Sequence, residues 1–120
     1  MYPELYLVTE GEDAGEPRRC KVLRRCRSRH RDDLMLINIE PPIIGQQYGL
    51  GDQDVHRLLI APRFEGVSLF PVTEWPVHVY VCRLLVSGEP EFVKDSEMEL
   101  IRWGILHVNE EEAKRHVGMI

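Results

Sequence analysis

Cysteine is scarce in this sequence, with Cys20, Cys26 and Cys82 the only three among 120 residues. An odd count in a chain large enough to be held by its own core argues against the disulfide framework of small secreted domains, so reduced thiols in a cytoplasm are expected. Long apolar runs are missing too. None approaches the roughly 20 residues needed to cross a bilayer, and Met1 to Glu16 is acidic, with no basic segment followed by an apolar one, so neither a membrane span nor export is expected. Excess positive charge is also absent. The formal charge is −5, which argues against a generic polyanion binder, whose affinity comes from lysine and arginine neutralising phosphates. Internal repeats, low-complexity stretches, a G-x-S-x-G elbow and phosphate-loop patterns are all lacking.

What remains is an ordinary globular composition. Hydrophobic residues make up 43% and charged residues 29%, enough apolar material for one core, so residues 1–120 read as a single domain that folds alone. Its densest apolar stretch runs from Val55 to Leu85. Val55 to Ala61 and Val77 to Leu85 read as strands, and the second alternates Val77, Val79 and Val81 against His78, Tyr80, Cys82 and Leu84. Both faces are mostly apolar, as in a central strand covered on both sides.

The flanking segments supply further strands. Glu4 to Glu10 is a strand by alternation and residue type, and Glu10 to Pro17 is an exposed acidic connection. Arg18 to Arg27 puts Cys20, Val22 and Cys26 on one side of a strand, although an amphipathic helix would also group some of its apolar residues. Leu34 to Ile39 is a short buried strand expected to stop at Pro41 and Pro42, which cannot continue a ladder. Ile43 to Asp54, with three glycines, reads as a long surface loop and hence as a binding element. Phe92 and Val93 form a brief strand or a loop anchor. Ile101 to Val108 reads as a strand, while Ser96 to Leu100 stays open between helix and strand. Asn109 with Glu112 marks a capping box, and Glu110 to His116 carries acids at its start and bases at its end, so a helix is expected there. The fold class is therefore α+β and mainly β: about six or seven short, mostly antiparallel strands with a C-terminal helix, and strand pattern alone leaves closure into a barrel open.

Candidate sites follow from residue chemistry. Cys20, Cys26 and His30 offer soft ligands for zinc, but no second close pair accompanies them and the surrounding arginines repel a cation, so no metal or cofactor is expected. Ser68, His78 and Glu74 supply the residue types of a hydrolytic triad, yet a turn or strand serine is the simpler account of Ser68. Arg63, beside Phe64 and ahead of Gly66, is suited to bidentate capture of a carboxylate or phosphate; the competing reading is an ion pair with Glu65 or Glu74. Tyr48, Glu74 and Trp75 complete the set of expected ligand or partner contacts. Trp75 and Trp103, with Tyr48, Phe70 and Tyr80, would line a pocket, although aromatic residues at strand spacing usually belong to the core.

The charge map is polarised. Eight of the 15 basic residues fall between Arg18 and Arg31, and Arg18, Arg19, Lys21, Arg24, Arg25 and Arg27 form a basic strip between acidic termini. Negative evidence and this polarity together favour a bacterial, cytoplasmic, non-catalytic module that contacts another protein, either a second copy of itself as a homodimer or a subunit that it inhibits or partners. The first alternative is single-stranded nucleic-acid binding along the strip. The second is a small-molecule enzyme with Arg63 as an anion clamp and His56 or His78 as proton carrier.

Overall fold

A computed structural model of the chain describes residues 4–10, 15–62, 75–86, 92–94 and 102–120. Seven strands make one sheet: β1 (Leu5–Thr9), β2 (Arg18–Ser28), β3 (Leu34–Ile44), β4 (Asp54–Pro62), β5 (Val77–Leu85), β6 (Phe92–Val93) and β7 (Arg102–His107). One helix, α1 (Glu110–His116), follows them. The spatial order is β1-β7-β5-β4-β3-β2-β6, and β1 also pairs with β2. Every pairing is antiparallel except β2 with β6. The sheet thus rolls into a ring that is not a true barrel. β1 meets β2 only through Leu5 to Leu7 against Cys20 to Arg18, and the far end of β2 turns instead to β6, with Arg27 and Ser28 beside Phe92 and Val93.

Two apolar clusters hold the sheet, one on each face. The inner cluster includes Leu5, Leu7, Cys20, Ile37, Ile39, Leu58, Ile60, Val79 and Leu106. The outer one gathers Cys26, Leu34, Leu36, Leu59, Ala61, Cys82, Leu85 and Val93. Alternation along β4 divides Leu58 and Ile60 from Leu59 and Ala61, so the middle of the sheet is apolar on both sides. Each fully buried aliphatic side chain contributes about 1.5–3 kcal/mol by leaving water.

β5 occupies the central, doubly covered position that its sequence implies, between β4 and β7. Its alternation nevertheless slips once. Leu59 pairs with Arg83 but Ile60 with Val81, which leaves Cys82 as an extra residue. Leu84 consequently joins Val77, Val79 and Val81 in the inner cluster rather than facing away from them.

Two expectations for the β3–β4 region need correction. β3 does not stop before the prolines but runs through Pro41 and Pro42 to Ile44. This is possible because pairing with β4 is interrupted there: residues 39–42 lie between the pairs Asn38↔Arg57 and Ile43↔Val55, opposite His56 alone. Proline is tolerated where no ladder bond is required of it. Both the Glu40–Pro41 and Trp75–Pro76 peptides are cis. Nor is Ile43 to Asp54 a long loop, since Ile43 is buried and paired with Val55, and Ile44 is paired with Asp54. The true connection is a hairpin end built on a single 3₁₀ turn, Gly45–Tyr48. The Gly45 amide donates to the Gln53 carbonyl at 2.9 Å, and a Cβ on Gly45 would collide with that oxygen.

α1 forms as its charges and cap imply. The Asn109 side chain accepts from the amides of Glu111 and Glu112 at 2.9 and 3.3 Å, while Lys114 pairs with Glu110 and Arg115 with Glu112. The helix lies against β1 and β7 and buries Ala113 completely. Among the described residues, no helix is long and apolar enough to cross a membrane. Residues 96–100 lie outside the described residues.

Candidate functional site

The basic strip becomes β2, and a β-bulge decides how its charges are presented. Val22 pairs with Ile37 and Arg24 with Leu36, so Leu23 is an extra residue. Before the bulge, Cys20 faces the inner cluster; after it, Cys26 faces the outer one. Arg19 and Lys21 therefore stand on the outer face, whereas Arg25 and Arg27 stand on the opposite face, and Arg24 shares the side of Cys26. The strip is not one continuous row of cations.

Its members also differ in environment. Arg18 is only 7% exposed; its Nε donates to the Pro41 carbonyl at 3.1 Å and its Nη1 to Thr9 Oγ1 at 3.2 Å. It ties β2 to β1 and to the proline segment of β3, a structural role the sequence did not reveal. Arg19 is exposed and pairs with Glu4 at 2.8 Å, an arrangement worth little in solvent. Arg25 is exposed and donates to the Asp32 carbonyl at 3.4 Å. Arg31 makes a bidentate pair with Asp33 at 2.8 and 2.9 Å and reaches the Pro62 carbonyl at 3.1 Å, locking the β2–β3 turn onto the end of β4. Lys21 and Arg27 are exposed.

Arg63, Phe64 and Glu74, like Glu65, Ser68 and Phe70, lie outside the described residues. Tyr48 and Trp75 are half-buried against the inner cluster. The Arg102 Nη1 donates to the Tyr48 hydroxyl, and the guanidinium carbon lies 5.4 Å from the centroid of the same ring. Tyr80 belongs to the outer cluster and packs on Trp103 with ring centroids 3.9 Å apart, so these four aromatics do not share one pocket. His56 and His78 sit at opposite ends of the β4–β5 ladder, beyond the pairs Arg57↔Leu85 and Pro62↔Val79 respectively. Cys20 and Cys26 face opposite sides of the sheet, which separates the two thiols of the zinc pattern. Burial pushes the Cys20 thiol up to about 12 and the Cys82 thiol up to about 11, so both remain protonated at neutral pH and are poor nucleophiles and ligands. No protein-family model, no curated protein and no solved structure matches the chain. The residues alone carry the functional argument.

Two further features escape the sequence pattern. His107 on β7 is buried, and its Nε2 lies 3.2 Å from Nδ1 of His116 at the end of α1. Burial, and then His116, lower the pKa of His107, while Glu112 opposes them. Separation by nine positions across a strand–helix junction gives no sequence signal for this contact. Beside it, a cleft of about 530 Å³ lies between α1 and the start of β2, lined by Tyr6, Glu16, Arg19, Glu40, Glu110 and Lys114 among others. A smaller space of about 400 Å³ adjoins Thr9, His116 and Met119. Carboxylates and cations are mixed in the larger cleft, and no nucleophile–base pair occurs among the side chains named here.

Proposed function

We propose that the chain is a non-catalytic protein-interaction module that docks on another polypeptide. The observation that carries this reading is the form of β2: an eleven-residue strand that projects beyond its short pairing with β1 and carries exposed cations on both faces. Charges so arranged steer and orient an acidic partner. They suit a continuous phosphate track less well, because a nucleic-acid backbone lies along one face. Three free, buried cysteines, Cys20 in the inner cluster and Cys26 and Cys82 in the outer one, support a reducing compartment, and a bacterial cytoplasm is the location we propose on that basis.

The reading is tested with the full chain. Its mass is measured by light scattering across a concentration series, and immobilised protein is exposed to an extract of its own cells, with any captured protein identified and the complex rebuilt from purified components. A defined homodimer or a complex of fixed stoichiometry is expected. A chain that stays monomeric at high concentration and yields no complex that can be rebuilt would remove the proposal.

A further inference from the structure

Little apolar surface holds α1 itself to the sheet. Ala113 is its only buried residue, and a helix of seven residues is too short to persist in water by itself. Its last residue, His116, supplies a second hold, with Nδ1 3.2 Å from Nε2 of His107 on β7. The ring centroids are 5.3 Å apart and the planes cross at 88°, so the facing nitrogens make the contact and the rings do not stack. One nitrogen donates and the other accepts, whichever ring carries the proton.

That bond tolerates one added proton but not two. With one, an imidazolium donates to a neutral imidazole and the hold strengthens. With two, both facing nitrogens carry hydrogen, no acceptor remains, and two cations stand in contact. The neighbouring charges are mostly engaged elsewhere. On β1, Tyr6 lies opposite His107 and Glu10 borders the space beside His116. On β2, Arg19 lies opposite Tyr6 and pairs with Glu4. On β5, His78 pairs with Ile105, which shares the face of His107 on β7. On α1, Glu112 pairs with Arg115 and Glu110 with Lys114. Burial, and then His116, lower the pKa of His107 and outweigh Glu112, which raises it.

We infer that the His107–His116 pair is a proton-operated latch that releases α1 from β1 and β7 when both rings become charged. The docked value of His107 lies below the ordinary 6.5, so its contribution to docking is complete above 6.5 and is lost as pH falls from 6.5 through the docked value. Release uncovers the face of β1 and β7 on which Tyr6 stands opposite His107 and Val8 opposite Ile105. Among the described residues, neither apolar cluster of the sheet draws a side chain from α1, so the sheet keeps its core when the helix leaves. The latch does not depend on what the chain binds.

The full chain, labelled at alanine and leucine methyls and at histidine ring nitrogens, is followed by NMR between about pH 7.5 and 5. As His107 takes up its proton, the Ala113 methyl is expected to lose its cross-peaks to β1 and β7, and Glu110 to His116 their helical shifts. Cross-peaks of Leu58 and Leu59 within their clusters are expected to remain. Glutamine offers both a donor and an acceptor without a titrating ring, so His107→Gln and His116→Gln are each expected to keep α1 docked at pH 5. An α1 that stays docked throughout the native titration would overturn the inference. So would a release that does not follow the His107 ring, release at the same pH in a docked glutamine variant, or loss of the Leu58 and Leu59 cross-peaks together with those of Ala113. If neither variant docks at neutral pH, the native titration decides.

Discussion

At the scale of single residues, the least expected finding is that Arg18 works as an internal brace. An arginine only 7% exposed is tolerated because its donors are used, here by Thr9 and the Pro41 carbonyl. Arg18→Met keeps most of the apolar stem and removes those donors, leaving two acceptors without them. Chemical denaturation is expected to show a loss of about 1–3 kcal/mol. Sequence gave no hint of this, because in the pattern Arg18 is one of eight bases in a row of polar and apolar alternation.

His107 supplies a second prediction at this scale. Its folded pKa is lowered from 6.5 by burial and by His116, so the unfolded chain binds a proton more readily than the folded one just below neutrality. Stability from this group is fully present above 6.5 and is lost as pH falls from 6.5 through the folded value. Urea midpoints are expected to decline between about pH 7.5 and 5, more steeply in the native chain than in His107→Gln, which carries no titrating ring.

At the scale of elements, the helix and β5 were readable because their determinants are local. Asn109, the acids after it and the bases near the end specify α1 without reference to anything distant, and Asn109→Ala is expected to cost about 0.5–2 kcal/mol in a thermal or denaturant melt. β3 and β2 show the limit of that logic. Pro41 and Pro42 look like a stop until β4 is seen to leave residues 39–42 unpaired. Leu23 looks like one more strand residue until β3 skips it. In both cases the partner strand, remote in sequence, decides what the segment does.

At the scale of the whole molecule, the sheet buries apolar side chains on both faces within a partly closed ring. Neighbouring residues on β4 provide the check. Leu58 belongs to the inner cluster and Leu59 to the outer, and both are fully buried. Leu58→Ala and Leu59→Ala are therefore each expected to destabilise by about 2–5 kcal/mol in equilibrium unfolding. A sheet with a single core would show one large loss and one near zero.

The fold class and most strand positions were legible because hydrophobic alternation and turn residues act over a few positions, and they did so in β1, β4, β5 and β7. Of the candidate site, the sequence supplied the density of cations but not their division between two faces, nor the separation of Cys20 from Cys26. A bulge at Leu23 turns everything after it by one face, and whether a bulge forms is set by the strand opposite. Amino-acid order by itself thus determined which segments extend and where the helix caps. Only the tertiary structure decided which way their side chains point and which strands meet, because register is a contact between residues that the chain brings together from far apart.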